Sequence, residues 1–342
     1  MSDWGEQNLS NGEDVLSCVV YGAGGVFIVA VVLACAAPLA CSAHNIYDVI
    51  NLGKACTFLR NQYVPEAGML RAAYSPWTDD YGRIYINDNV LAVKALTICG
   101  DSKLASIVSS TLTSKYGRYL RSGRHEVLVN EPIPDTPLVR TNVVLGHVGD
   151  VVVVAEIAGN STLSDWRVYA DWLLLESINS IIKGDEVRAR KLFRDAMLMW
   201  DGMGLRDKAV ETTGQYDTYK LALAIYAFKA LGEPSSYENQ VKEMLSIIAR
   251  AQDPISGGIH TNYILHNGTP YFNVSDSNVE TTSMVIIALY GDRPKSINAG
   301  QVMKVQPLRF YVLVVVLIIV TIGIIIITIK QAKSLEVHHI VL

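Results

Sequence analysis

Four carboxylates stand at or just before the openings of apolar helical segments: Asp88, Asp217, Glu280 and, slightly ahead of the last, Asp276. Carboxylates that converge on one cavity can divide acid and base work. One stays protonated and gives its proton to a leaving oxygen; the other is ionised and activates water or attacks, as splitting a glycosidic bond requires. Asp217 follows Tyr216 at the opening of the regular run LALAIYAFKAL. There the positive end of the helix dipole should lower its pKa and suit it to the role of base. Asp88 is then the proton donor, provided dry surroundings raise its pKa. Glu280 and Asp276 stand in reserve. The plainer role of any acid at a helix start is to cap it.

Aromatic residues accompany these acids. Trp77, Tyr216, Tyr219, Tyr263 and Tyr271 lie on or beside the same polar stretches, with Asp80 among them. Flat rings suit the faces of sugars, and such residues are candidate substrate contacts. Trp77-Thr78-Asp79-Asp80-Tyr81 and Gly214-Gln215-Tyr216-Asp217-Thr218-Tyr219 pair acids with rings in short segments that lack apolar periodicity. Rings in such places also cover the top of a core.

The elements that must position these groups follow a repeat. Val90–Gly100, Trp172–Gly184 and Leu221–Gly232 are apolar and end in Gly followed by an acid; the last such segment ends at Leu289-Tyr290-Gly291-Asp292. Gly takes the left-handed position after a helix cheaply, and the acid can start the next helix. Amphipathic segments Ser102–Leu120, Glu186–Trp200 and Ser236–Gln252 follow the first three stops, and Ile46–Tyr63 precedes the first apolar one. Eight helices in four pairs result. Segments apolar all round should be buried inner helices, and those with a polar face outer ones. The connections from outer to inner helix are long: Val64–Asn87, Arg121–Ser164, Asp201–Gly214 and Asp253–Ser277. Up-and-down alternation places all four at one end, the usual binding face of a repeat architecture. Within the second, residues 123–159 break the rhythm. His125–Val129, Val139–Leu145 and Val151–Ile157 read as strands of a small β-flap, with Gly149-Asp150 as a hairpin turn. The flap either covers the edges of the inner helices or walls a cleft.

DPISGGIHTNY followed by SDSNVETTSMVIIAL, together with IYINDNVLAVKAL and TTGQYDTYKLALAIYAF, resembles the α/α-toroid superfamily, in particular its six-hairpin glycosidase branch. The resemblance runs from Ile46 to Gly291. It implies a mostly α fold, an α/α-hairpin toroid or partial toroid with a small β insertion, acting on glycans. About four hairpins are counted, where a full glycosidase ring has six.

The chain has 342 residues and a formal net charge of -4, and half of it is hydrophobic. Phe310–Ile329 carries no charge and is long enough to span a bilayer as a helix. Val15–Ala43 has an apolar body and a small-residue end like a signal peptide or signal anchor. The expected layout is a leader (1–43), a toroid domain (44–300), and a linker, transmembrane helix and short tail (301–342). Those apolar terminal helices would tie the protein to the lipid bilayer, with one or two passes and the main domain outside. N-x-S/T acceptors at Asn160, Asn267 and Asn273 suit such a domain. Cys56 and Cys99 could pair across antiparallel neighbours or be buried as small apolar residues.

No CxxC, CxxCH or HExxH is present, so no metal or cofactor is expected. P-loop, GxGxxG and GxSxG signatures are absent from the helical domain. The near-neutral charge without a basic stripe argues against nucleic acid. Two readings remain: a glycoside hydrolase-like enzyme, and a non-catalytic surface protein that binds glycan or an envelope partner through the loop face.

Overall fold

In the computed structural model, which describes residues 46–76 and 78–297, outer and inner helices alternate. An outer helix α1 (Leu52–Asn61) leads through β1 (Tyr63–Val64), β2 (Met69–Leu70) and β3 (Arg83–Tyr85) into the inner helix α2 (Ile86–Ile98). The outer α3 (Ser102–Tyr116) follows. The long strands β4 (Leu138–Val148) and β5 (Val151–Thr162) then precede inner α4 (Ala170–Lys183) and outer α5 (Glu186–Met197). A short α6 (Lys208–Thr213) and β6 (Tyr216–Asp217) open inner α7 (Thr218–Ala230), followed by outer α8 (Glu238–Ala251). The hairpin β7 (Asn262–His266) and β8 (Thr269–Tyr271) comes before inner α9 (Val279–Tyr290). The described chain is mostly α with a small sheet component.

The stop signals act as their chemistry predicts at three of four places. Gly100, Gly184 and Gly232 take φ of 75°, 83° and 80°, a region open to Gly at little cost. Asp101 and Asp185 then cap the next helices by accepting from Leu104 N and Arg188 N. Gly291 differs, with an extended φ of -78°, because the chain runs straight on after α9. A side chain there would meet Ile287 O at 2.5 Å. Asn278 caps α9 through Thr281 N, at 2.7 Å.

Inner helices are buried nearly all round, as their composition requires; every residue from Lys220 to Lys229 is buried. Each fully buried Leu, Ile or Phe is worth about 1.5–3 kcal/mol, so this interior holds the helices in place. Helix α9 packs between α2 and α7, and α7 packs on α4. The turn His125–Val129 touches both α2 and α4. Cys56 of α1 and Cys99 after α2 form a disulfide, with Cα atoms 5.7 Å apart.

The long connections are stitched to one another. β3 pairs in parallel with β5, and β6 pairs with β7. Ala73 bridges Asn278, and Tyr74 N donates to Ser277 O. Asp207 Oδ2 accepts from Ala170 N at 2.9 Å, and Lys208 meets Asp165. The four connections therefore share one end of the helices. β4 and β5 form the expected flap, now anchored by β3.

Two expectations are corrected. His125–Val129 is a 3₁₀ turn instead of a strand. Glu126 accepts from Gly123 N and Arg124 N, both at 2.8 Å, and so fixes a local turn; left-handed Asn130 ends it. Local bonds of this kind outcompete a Val-rich strand preference. The second correction concerns the membrane. No helix among the described residues is long and apolar enough to cross one, which overturns the expectation of a single- or double-pass protein with terminal apolar helices. The runs Val15–Ala43 and Phe310–Ile329 on which it was based lie outside the described residues.

Candidate functional site

The N-terminal turns of α2 and α9 face a shared polar cavity of about 210 Å³. Asn87 and Asp88 come from the first turn of α2; Asn278 and Glu280 come from the cap and first turn of α9. Arg124 and His125 enter from the 3₁₀ turn, Asn142 from β4 and Glu156 from β5. The flap therefore walls the cavity. Asp80 and Tyr85 complete one rim, with the Tyr85 hydroxyl donating to Asp80 at 3.0 Å. The volume lies below the roughly 300–1,000 Å³ of sites for drug-sized ligands, which leaves room for one small polar ring.

Two acids in this cavity are driven in opposite directions. Asp88 is 8% exposed and forms no hydrogen bond or ion pair with the described protein. Burial pushes its carboxyl well above the ordinary range; Glu280, Glu156 and Asp80 push the same way, and Arg124 only partly opposes them. Burial alone would raise Glu280 too. Its contact with His125, and the charges of Arg124, His125 and Arg140, instead hold it down to about 2. Arg124 Nη1 lies 3.5 Å from Glu280 Oε1 and His125 Nε2 lies 3.0 Å from the same oxygen. The His125 contact is at ion-pair distance but poorly aligned as a hydrogen bond. Both contacts fall on Oε1. Arg124 also lies 3.5 Å from Asp171 and stands over the Tyr219 ring at 5.2 Å. Arg140 pairs with Glu156 at 2.9 Å and stacks on Trp172.

The other acids singled out in the sequence lie apart from this cavity's lining. Asp217 sits at the start of α7 but does not cap it; Lys220 Nζ lies 2.7 Å from Asp217 Oδ2, and Asn262 Nδ2 donates to Oδ1. Burial raises the Asp217 pKa while Lys220 opposes it, so the expected lowering by the helix dipole is overturned: desolvation outweighs it. Lys220 also holds buried Asp207 at 2.8 Å. Asp276 accepts from Ser75 N and Ser277 N and ties two connections together.

The aromatic candidates are placed as follows. Tyr216 and Tyr263 are buried and stacked, with centroids 5.4 Å apart, and their hydroxyls reach Asp201 and Met203 O. The Tyr219 hydroxyl donates to Asp171 at 3.2 Å. Tyr271 is exposed beside His266 on the β7–β8 hairpin. Trp77 lies outside the described residues. Asp80 remains at the cavity rim.

Sequence reasoning missed Asn87, Arg124, His125 and Glu156. Asn87 adjoins Asp88 at a helix opening and was within reach of the same argument. Arg124 and His125 were masked by an apparent strand, and Glu156 by the flap's apolar pattern. Among the described residues, no group of three or more His, Cys, Asp or Glu side chains is placed to hold a metal ion. No family model, curated protein or solved structure matches the chain.

Proposed function

We propose that the helical hairpins form a partial α/α toroid and that its cavity acts on glycans, cleaving a glycosidic bond between Asp88 and Glu280. The single observation that carries this reading is the pair of acids facing one cavity, Asp88 without a partner among the described residues and Glu280 held by Arg124 and His125; such opposed surroundings push two pKa values apart, the usual mark of divided acid and base roles. Protonated Asp88 gives its proton to the leaving oxygen. Glu280, ionised and anchored through Oε1, leaves Oε2 to orient water and offset positive charge at the anomeric carbon. As the bond to the leaving oxygen breaks, water adds its oxygen to that carbon; the proton that it releases passes to solvent, from which Asp88 is protonated again. A carboxylate held near 2 is a weak base, so its contribution is more electrostatic than proton-abstracting. Asp88 thus keeps the donor role expected of it, and Glu280 replaces Asp217 as its counterpart. The sequence of helix contacts from α2 through α9 and α7 to α4, with the 3₁₀ turn touching both ends, supports the toroid reading.

A binding-only reading has one observation in its favour. Glu280 is tied to both Arg124 and His125, as a purely structural carboxylate would be. A screen of oligosaccharides for hydrolysis and for binding separates the two. Hydrolysis lost in both Asp88→Asn and Glu280→Gln, with folding retained, supports the enzyme. Binding without turnover in the wild type supports the alternative, and neither activity on any glycan refutes both.

A further inference from the structure

We propose that the cavity takes a sugar ring bearing no carboxylate, and that the Asn87 amide donates to one of that ring's hydroxyl oxygens. This builds on the reading of the cavity as a glycan site and specifies which glycans it accepts.

The first argument is charge. Asp80, Asp88, Glu156 and Glu280 all border the cavity. The nearby cations are already engaged: Arg124 lies between Glu280 and Asp171, and Arg140 is on Glu156. His125 leans on Glu280. Among the described residues, each cation at the cavity already has a carboxylate beside it, and an incoming carboxylate would also enter beside the unpaired Asp88. A uronic acid must therefore share a cation that an acid already holds, whereas an uncharged ring need not.

The second argument is an unmatched donor. Asn87 is 3% exposed. Its orientation is fixed because Oδ1 accepts from Glu156 N at 2.8 Å, a bond that the amide nitrogen could not make. Nδ2 is therefore a buried donor, and it has no acceptor in the described protein. A buried donor without a partner is costly; Asn87 is among the residues that line the cavity, so a ligand bound there could bring an acceptor to it. A sugar hydroxyl oxygen supplies that acceptor without adding charge. The same geometry makes Asn87 a specificity residue, because a ring lacking an oxygen there leaves the donor unmatched.

The test is titration of the full chain, followed by calorimetry and ligand-observed NMR, with matched probes: methyl glucoside against methyl glucuronide, and methyl galactoside against methyl galacturonide. The neutral member of at least one pair should bind at least tenfold tighter than its uronide. Asn87→Ala removes the donor without adding charge and should weaken the neutral probe at least tenfold, with the fold retained. Asn87→Ser, a smaller change without added charge, should weaken it in the same direction. Uronides that bind as tightly as neutral probes would overturn this inference alone. So would an Asn87→Ala or Asn87→Ser protein that binds the neutral probe like the wild type. Failure of every probe, neutral and acidic, would overturn the glycan reading together with it.

Discussion

Asp88 and Asp217 both open inner helices, and both are largely withdrawn from water, yet their surroundings differ in one respect. Around Asp217 a buried lysine completes the circuit: Lys220 holds Asp217 and Asp207, and Asn262 fills the remaining oxygen. Around Asp88 nothing completes it; the carboxyl faces a cavity with Glu280, Glu156 and Asp80 nearby. Position at a helix start is thus common to an acid that the fold pairs and one that it leaves facing a cavity. What separates them is whether the fold supplies a cation of its own.

The comparison breaks or sharpens most strongly at Asp88. Asp88→Asn should reduce hydrolysis of a glycan substrate by roughly 10²–10⁴-fold, the usual worth of a general acid. The melting temperature should stay level or rise, since an unpaired buried acid is removed. Full activity in this variant would erase the distinction between the two regions.

Lys220→Met tests the other side. Buried Asp207 and partly buried Asp217 lose their cation, and unfolding in urea should show a loss of about 3–5 kcal/mol, the cost of leaving a buried charge uncompensated. Hydrolysis per folded molecule should stay near the wild-type rate. A stability change under about 1 kcal/mol, typical of an exposed pair, would mean that the cluster is not closed.

Acid and base shifts give a third handle. Asp88 is raised, so its contribution to stability is full below the unfolded value of about 3.9 and is lost as pH climbs through the folded value. Glu280 is depressed to about 2, so its contribution is present above the unfolded value of about 4.3 and is lost as pH falls toward 2. Chemical unfolding at a series of pH values should show Asp88→Asn removing a decline on the rising side and Glu280→Gln removing one on the falling side. Slopes of the same sign for both would contradict their opposite surroundings.

The smallest expected effect is that of Asn262→Ala, which removes one hydrogen bond to Asp217, the partner of Lys220. A hydrogen bond to a charged group contributes about 1.5–3 kcal/mol, and urea unfolding should show a loss within that range with binding at the Asp88 cavity unchanged.

Much of this was legible from local chemistry. Glycine-acid stops located the ends of α2, α4 and α7, because left-handed glycine is a local signal, and after α2 and α4 an aspartate cap adds to it. The shared end of the long connections followed from alternation. Asp88 and Glu280 were legible as acids at helix openings. Their pairing was not, because it depends on α2 lying against α9, some 190 residues later. Lys220 was hidden inside LALAIYAFKAL's helix as one polar residue on an apolar face. The stacking of Tyr216 on Tyr263 was not legible, because a sequence does not state what lies against a ring. The strand expected at His125–Val129 failed because Glu126 turned the backbone back on itself.

The parallel pairing of Arg83–Tyr85 with Val152–Val154 has a consequence for how the protein is made. The wall beside Asp88 cannot form until some seventy further residues have been synthesised, and Glu280 arrives only with the last described helix. Contacts this distant in sequence close slowly, since the entropy of a long loop is lost before any contact rewards it. On a ribosome the early hairpins can assemble as they emerge, while the cavity must wait for α9. A chain that stops before Val279 has its Asp88 but lacks the helix that carries Glu280, so its nascent form has no complete site during translation.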